Sequence, residues 1–216
     1  LAKLRSGTHA LSDAFGTQPI SYRAGRWGID EIEMNNLAGM GYTIDTSVVP
    51  GHDFSLSRGL SRGGPDFREH LTATPAQPYK VGALWEAPAS ATTIGLLGST
   101  GLGAMLSRRL SYRLDLPSRV AGRLLRQSGL SGLVWVRPLM LTRLELVQAA
   151  VTLAARGARI INVMFHSSEA YAGTSPRSRT AADVEQFYGD LASIVDAVKS
   201  LGIVVPRTLR DAVAAI

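Results

Sequence analysis

The sequence predicts an α/β fold with parallel strands and flanking helices, and two observations carry that prediction. First, an amphipathic helical run ending at a glycine and followed by a short apolar strand recurs three times. The sets are residues 32–40, Gly41 and 42–48; residues 144–156, Gly157 and 159–165; and residues 184–201, Gly202 and 203–205. Glycine suits the left-handed cap of a helix, and a short β-branched run suits a buried strand. Helices alternating with such strands are the pattern of a parallel sheet covered by helices. Second, polar residues close the apolar runs: Arg23, Asp45 with Ser47, Arg137, and His166 with Ser167, Ser168 and Glu169.

Taken in order, the chain opens on a helical stretch in which His9 and Asp13 share one face at i, i+4 spacing, the pattern of an exposed pair. A strand is expected at 18–23, then the helix at 32–40 and the strand at 42–48. Residues 50–88 break the alternation. With Gly51, Gly59, Gly63, Gly64, Pro65, Pro75 and Pro78 they read as a long irregular excursion. A second departure, 95–129, is expected to be helical and basic. The alternation resumes with a strand at 133–137, Pro138, a helix beginning near Thr142, and the two later helix–glycine–strand sets. The chain is expected to form a single partial domain over 1–216, with an irregular insertion at about 50–130.

Composition narrows the class. Of 216 residues 45% are hydrophobic and 19% charged, which fits a globular chain with one sizeable core. No uninterrupted apolar run approaches the roughly 18 residues of a membrane span. The formal charge is +6 and the pI about 10.1, yet the cations are scattered and no motif interleaves them with aromatics, so no nucleic-acid partner is expected. Their densest group, Arg108, Arg109, Arg113, Arg119, Arg123 and Arg126, has the helical spacing of a solvated face. The absence of cysteine removes disulfides, thiolate nucleophiles and cysteine-ligated zinc together. It leaves cytoplasmic and cell-envelope locations both open.

In parallel α/β folds the carboxyl ends of the strands converge on one face, where sites are built. An arginine there grips a carboxylate and a histidine moves a proton. By position alone His166 reads equally as a hydrogen-bonded core residue; the polar loop after it, with Gly173-Thr-Ser-Pro176, favours a cleft.

Ser21-Tyr-Arg-Ala-Gly-Arg-Trp-Gly28, Gly41-Tyr-Thr-Ile-Asp-Thr-Ser47 and Asn162-Val-Met-Phe-His-Ser167, followed by Ser175-Pro176 and a closing helix–glycine–strand, occur in that order. Together they resemble the polysaccharide deacetylases, the NodB-homology carbohydrate esterases, in a branch with a long insertion. The resemblance covers about residues 15–209. It implies an incomplete distorted (β/α) barrel and metal-assisted hydrolysis of an acetyl group from a polysaccharide or amino sugar. It implies a divalent metal, zinc or similar, held by one Asp and two His, with a second Asp as the base. By the same resemblance Arg23 orients that base and His166 protonates the leaving group. Ser167 beside it, and Asp45 and Ser47 on a groove-lining strand, become substrate contacts; for Asp45 a structural hydrogen bond or ion pair is the other reading. Trp27 offers a sugar-stacking face or packs in the core.

Departures from the pattern matter too. Gly25-Arg26 stands where the family carries Pro-Tyr, and the Asp-Asp and His-x-x-x-His that hold the metal belong upstream of the arginine motif. His52, Asp53 and His70 in the excursion are the remaining donors, and solvent exposure is the simpler account of them. The expectation is therefore a fragment, inactive alone, whose metal ligands lie upstream; the alternative is a degenerate member that binds glycan without hydrolysing it. A different class is represented by Ile94-Gly-Leu-Leu-Gly-Ser-Thr-Gly-Leu-Gly103, which has the glycine density of a dinucleotide loop but no Walker lysine.

Overall fold

A computed structural model describes residues 1–51, 76–98, 100–112, 116–202 and 204–216. It divides into two compact units, Leu1–Pro88 with Arg207–Ile216, and Ala89–Pro206. The first unit holds α1 (Ala2–Phe15), β1 (Ser21–Tyr22), α2 (Glu31–Gly39), β2 (Ile44–Asp45), β3 (Tyr79–Val81) and β4 (Leu84–Glu86). In the second lie β5 (Ala91–Ile94), α3 (Gly101–Tyr112), α4 (Leu116–Gln127), β6 (Gly132–Trp135), α5 (Arg143–Ala155) and α6 (Ala181–Lys199); α7 (Leu209–Ala214) returns to the first.

The four-stranded sheet of the first unit runs β1-β2-β4-β3. Its first three strands are parallel, as the helix–strand alternation requires, and β3 joins antiparallel at the edge. Among the described residues this sheet is open, with β1 and β3 at its edges and no closure into a barrel. Met34 and Leu37 of α2, Tyr42, Val48, Leu84 and Ile29 form its core, all buried. Asp30 starts α2 by accepting a hydrogen bond from the Glu33 amide at 2.7 Å. Tyr42 ties the sheet to α1, its hydroxyl donating to Thr8 Oγ1, which itself donates to the Leu4 carbonyl.

The excursion expected at 50–88 is regular from Tyr79 onward: β3 and β4 form a hairpin that belongs to the main sheet. Its turn is two residues long and needs the positive φ of Gly82, 59°, which glycine adopts without steric cost. The sequence masked this strand because glycines and prolines crowd the region before it.

Around α5 and α6 the second unit gathers a separate core: Leu146, Ala149, Ala150 and Leu153 meet Ile194, Ile94, Val134 and Val136. Capping boxes start both helices, Thr142 with Glu145 and Thr180 with Asp183. Here the parallel expectation fails, because β5 and β6 pair antiparallel. The expected strand at 159–165 forms no ladder. It is held by Asn162, whose carbonyl accepts from the Ser90 amide at 3.1 Å, and by the Met164 amide donating to the Val136 carbonyl at 3.2 Å. In the expected strand at 203–205, residue 203 lies outside the described residues and 204–208 carry no ladder. Apolar, β-branched composition gives an extended backbone, but a strand also needs a free neighbouring edge.

Candidate functional site

At the carboxyl ends of β1, β2 and β4 the first unit assembles an arginine and two carboxyls. The parallel register sets Asp45 opposite both Tyr22 and Glu86, so Asp45 and Glu86 end adjacent strands side by side. Both are fully buried. Asp45 accepts from the Ser47 amide at 2.8 Å and from Ser47 Oγ at 2.7 Å, and Ser47 Oγ accepts from the Ala24 amide at 2.8 Å. These bonds tie the end of β2 to the segment that carries Arg23. Asp45 and Ser47 are thus positioned inward, one residue either side of Thr46.

Thr46 receives the arginine: Arg23 Nε donates to its carbonyl at 3.2 Å and Nη2 to its Oγ1 at 3.1 Å. The guanidinium lies 5.5 Å from the ring centroid of Trp27. Trp27, half-buried, ends a single 3-10 turn with φ 61°, a left-handed conformation that costs a side-chain-bearing residue about 1–3 kcal/mol. Desolvation lowers the Arg23 pKa from its ordinary value, and the carboxyls of Asp45 and Glu86 oppose that shift.

Glu86 is a residue that the sequence reading missed. Burial pushes its carboxyl well above the ordinary range, and neighbouring Asp45 adds to the rise; the Val48 amide, donating to Oε1 at 3.1 Å, and Arg23 oppose it. Among the described residues, its Oε2 and the hydroxyl of Tyr79, directly across the ladder, have no hydrogen-bond partner. Burial raises the Tyr79 pKa as well. The available signal was Leu84-Trp85-Glu86, an alternating strand closed by an acid just before Ala87-Pro88.

In the second unit, the bond from the Met164 amide to the Val136 carbonyl brings the two following ends, Arg137 and His166, together. Arg137 Nη2 donates to His166 Nδ1 at 3.0 Å and to Glu169 Oε1 at 3.1 Å. Arginine has no acceptor, so in this arrangement Nδ1 is the unprotonated ring nitrogen and Nε2 carries the hydrogen. Glu169 Oε2 accepts from the His166 amide at 3.0 Å, and its carbonyl takes the Ser178 hydroxyl at 2.6 Å. Burial alone raises the Glu169 pKa, but the His166 amide and Arg137 outweigh it and hold the carboxyl below its ordinary value.

Arg137 and Glu169 are buried whereas the His166 side chain is 62% exposed, and among the described residues its hydrogen bonds run through the backbone N–H and Nδ1, not Nε2. Arg137 also lies 5.4 Å from the Trp135 ring centroid. Two residues beyond Arg137, Leu139 has φ 59°, a second left-handed non-glycine residue close after a strand-end arginine. Ser167 is exposed beside the histidine.

Close packing explains the glycine-rich stretch. A Cβ on Gly95, Gly98 or Gly103 would stand within 2.7 Å of the backbone of Gly129, Ile94 or Leu97 respectively. The strand that a nucleotide loop needs is present as β5, but in an antiparallel pair, and Thr100 Oγ1 already accepts from the Gly103 amide. His9 and Asp13 are exposed on α1. His52, Asp53 and His70 lie outside the described residues. Among the described residues no three His, Asp or Glu side chains are grouped to hold a metal ion, and no helix is long and apolar enough to cross a membrane. No protein-family model, curated protein or solved structure matches the chain.

Proposed function

We propose that the chain is part of a hydrolase that removes acetyl groups from a polysaccharide or amino sugar, of the polysaccharide deacetylase type and its barrel architecture. The observation that carries this reading is His166, its side chain exposed and its Nδ1 backed by the buried pair Arg137 and Glu169. A leaving oxygen or nitrogen approaching Nε2 meets an N–H donor. When the ring takes a second proton, Nδ1–H turns to Glu169 Oε1, 3.6 Å away, while Arg137 keeps its own bond to that carboxylate. The charged ring is thereby matched by a carboxylate held ionised, which is what a general acid needs.

In this reading Arg23, in the first unit, orients the base and Trp27 offers a ring face to a sugar, and in the second unit Ser167 offers a hydroxyl contact beside His166. Asp45 and Ser47 fix the strand end that carries Arg23. The described residues do not fit a resident metal, because they group no ligand set. The divalent metal implied by the family resemblance is therefore proposed to be held by other residues.

The test is acetate release from acetylated chito-oligosaccharides by the chain together with whatever its gene encodes upstream, with and without a chelator. Turnover that the chelator abolishes and zinc restores is expected. Oligosaccharide binding with no acetate release under any metal would instead identify a glycan-binding protein.

A further inference from the structure

The loop after His166 carries a cation that proton delivery does not use. Ser175-Pro176-Arg177-Ser178 is a β-turn: the Ser178 amide donates to the Ser175 carbonyl at 3.1 Å, proline takes the second position, whose φ its ring presets, and Arg177 takes the third. Three further bonds fix the turn. Ser175 Oγ accepts from the Arg177 amide at 3.2 Å, the Ser178 carbonyl accepts from the Gly173 amide at 2.7 Å, and the Ser178 hydroxyl donates to the Glu169 carbonyl at 2.6 Å. Arg177 is thereby held beside the buried Glu169 instead of swinging on a free loop.

Glu169 is already committed when Arg177 arrives. Its Oε1 accepts from Arg137 at 3.1 Å and its Oε2 from the His166 amide at 3.0 Å. Arg177 Nη1 stands 3.9 Å from Oε1, beyond hydrogen-bond range, and its side chain makes no hydrogen bond among the described residues. Two guanidinium groups therefore share one carboxylate. Arg179, on the same loop, leaves that balance unchanged, because Asp183 accepts from the Arg179 amide at 2.9 Å and offsets its charge. One positive charge is left over, on a side chain 41% exposed, and the exposed ring of His166 lies within 4 Å of the same carboxylate oxygen.

We propose that Arg177 recognises an oxyanion, a carboxylate or a phosphate, on the sugar that faces His166, so that the site takes acidic glycans. A guanidinium with open N–H donors offers a planar fork that matches two oxygens of such a group at once, whereas a neutral sugar offers it single hydroxyl acceptors and no charge. The proposal rests on the glycan reading of the His166 site. Binding is therefore measured apart from acetate release, so that each can fail alone.

The experiment is calorimetric titration of the full gene product with tetragalacturonate, with phosphorylated maltotetraose and with neutral chitotetraose. One of the two acidic tetrasaccharides is expected to bind at least about tenfold more tightly than the neutral one, the size of a charge-assisted hydrogen bond, and the one preferred identifies the anion. Arg177→Gln should remove the preference while circular dichroism and melting stay unchanged, and Arg177→Lys, which keeps the charge without the fork, should restore part of it. Lys199→Gln, at the exposed far end of α6, should leave the preference intact. Equal affinity for acidic and neutral tetrasaccharides, a preference that survives Arg177→Gln, or an equal loss in Lys199→Gln would overturn the proposal. Acetate release from chito-oligosaccharides with no preference for either acidic ligand would overturn it alone and leave the hydrolase reading standing.

Discussion

Glu86 and Glu169 are both buried carboxyls beside an arginine, yet their surroundings drive them in opposite directions. Glu86 is desolvated by burial and has a carboxyl neighbour, which its single amide donor does not offset, so its folded pKa is raised. A raised folded pKa gives stability that is complete below the unfolded value, about 4.3, and is lost as pH climbs through the folded value. Glu86→Gln, which keeps the acceptor for the Val48 amide, should therefore raise the melting temperature at neutral pH and flatten its fall with rising pH. A lower melting temperature in that variant would contradict the assignment.

Glu169 behaves oppositely, because amide and guanidinium donors lower its pKa. Its contribution is present above the unfolded value and disappears as pH falls through the folded one. Glu169→Gln leaves Arg137 buried without its carboxylate and should cost about 3 kcal/mol in denaturant unfolding at pH 7. Wild type and variant should converge in acid. Trp27 and Leu139 add strain at the same scale. Each is a left-handed residue following a strand-end arginine, where strain concentrates when a side chain has to be aimed.

At the scale of elements, the helices were legible because their start signals are local. Thr142 with Glu145 and Thr180 with Asp183 can be read as capping boxes without knowing the fold, and Thr208 with Asp211 repeats the pattern at α7. Strands were less legible, since a ladder depends on partners far along the chain. The run 159–165 has strand composition and no ladder, whereas Leu84-Trp85-Glu86, short and next to proline, became a central strand. The stretch from Ile94 to Gly103 was legible only as a choice between nucleotide loop and packing. Gly95, Gly98 and Gly103 meet neighbouring backbone at distances no Cβ tolerates, whereas Gly101 has open space. Gly95→Ala, at φ 95° and with a Cβ 2.7 Å from the Gly129 carbonyl oxygen, should cost about 2 kcal/mol or more in thermal or chemical unfolding. A neutral effect would reopen the nucleotide reading.

For the whole molecule, the sequence carried the α/β class and a parallel sheet in the first unit but neither the division into two units nor the antiparallel pair in the second. The site was legible as single strand-end residues. Arg23, Asp45, Ser47, Arg137 and His166 close apolar runs, with Glu169 in the 3-10 turn after the last, and that follows from local pattern. What each one touches follows from register, which no local pattern encodes: Asp45 beside Glu86 depends on β2 pairing β4, and His166 beside Arg137 on one bond from Met164 to Val136. Helices α3 and α4 illustrate the same limit. Their arginines have the helical spacing of a solvated face, but only the packing on β6 reveals that the leucines lie outward as well.

The central claim is that His166, backed by Arg137 and Glu169, delivers the proton to the leaving group. Its most direct test is the turnover number for acetate release by the full gene product carrying His166→Ala. A fall of about 100-fold or more, with little change in KM, is the predicted result; unchanged turnover in a folded variant would contradict the account.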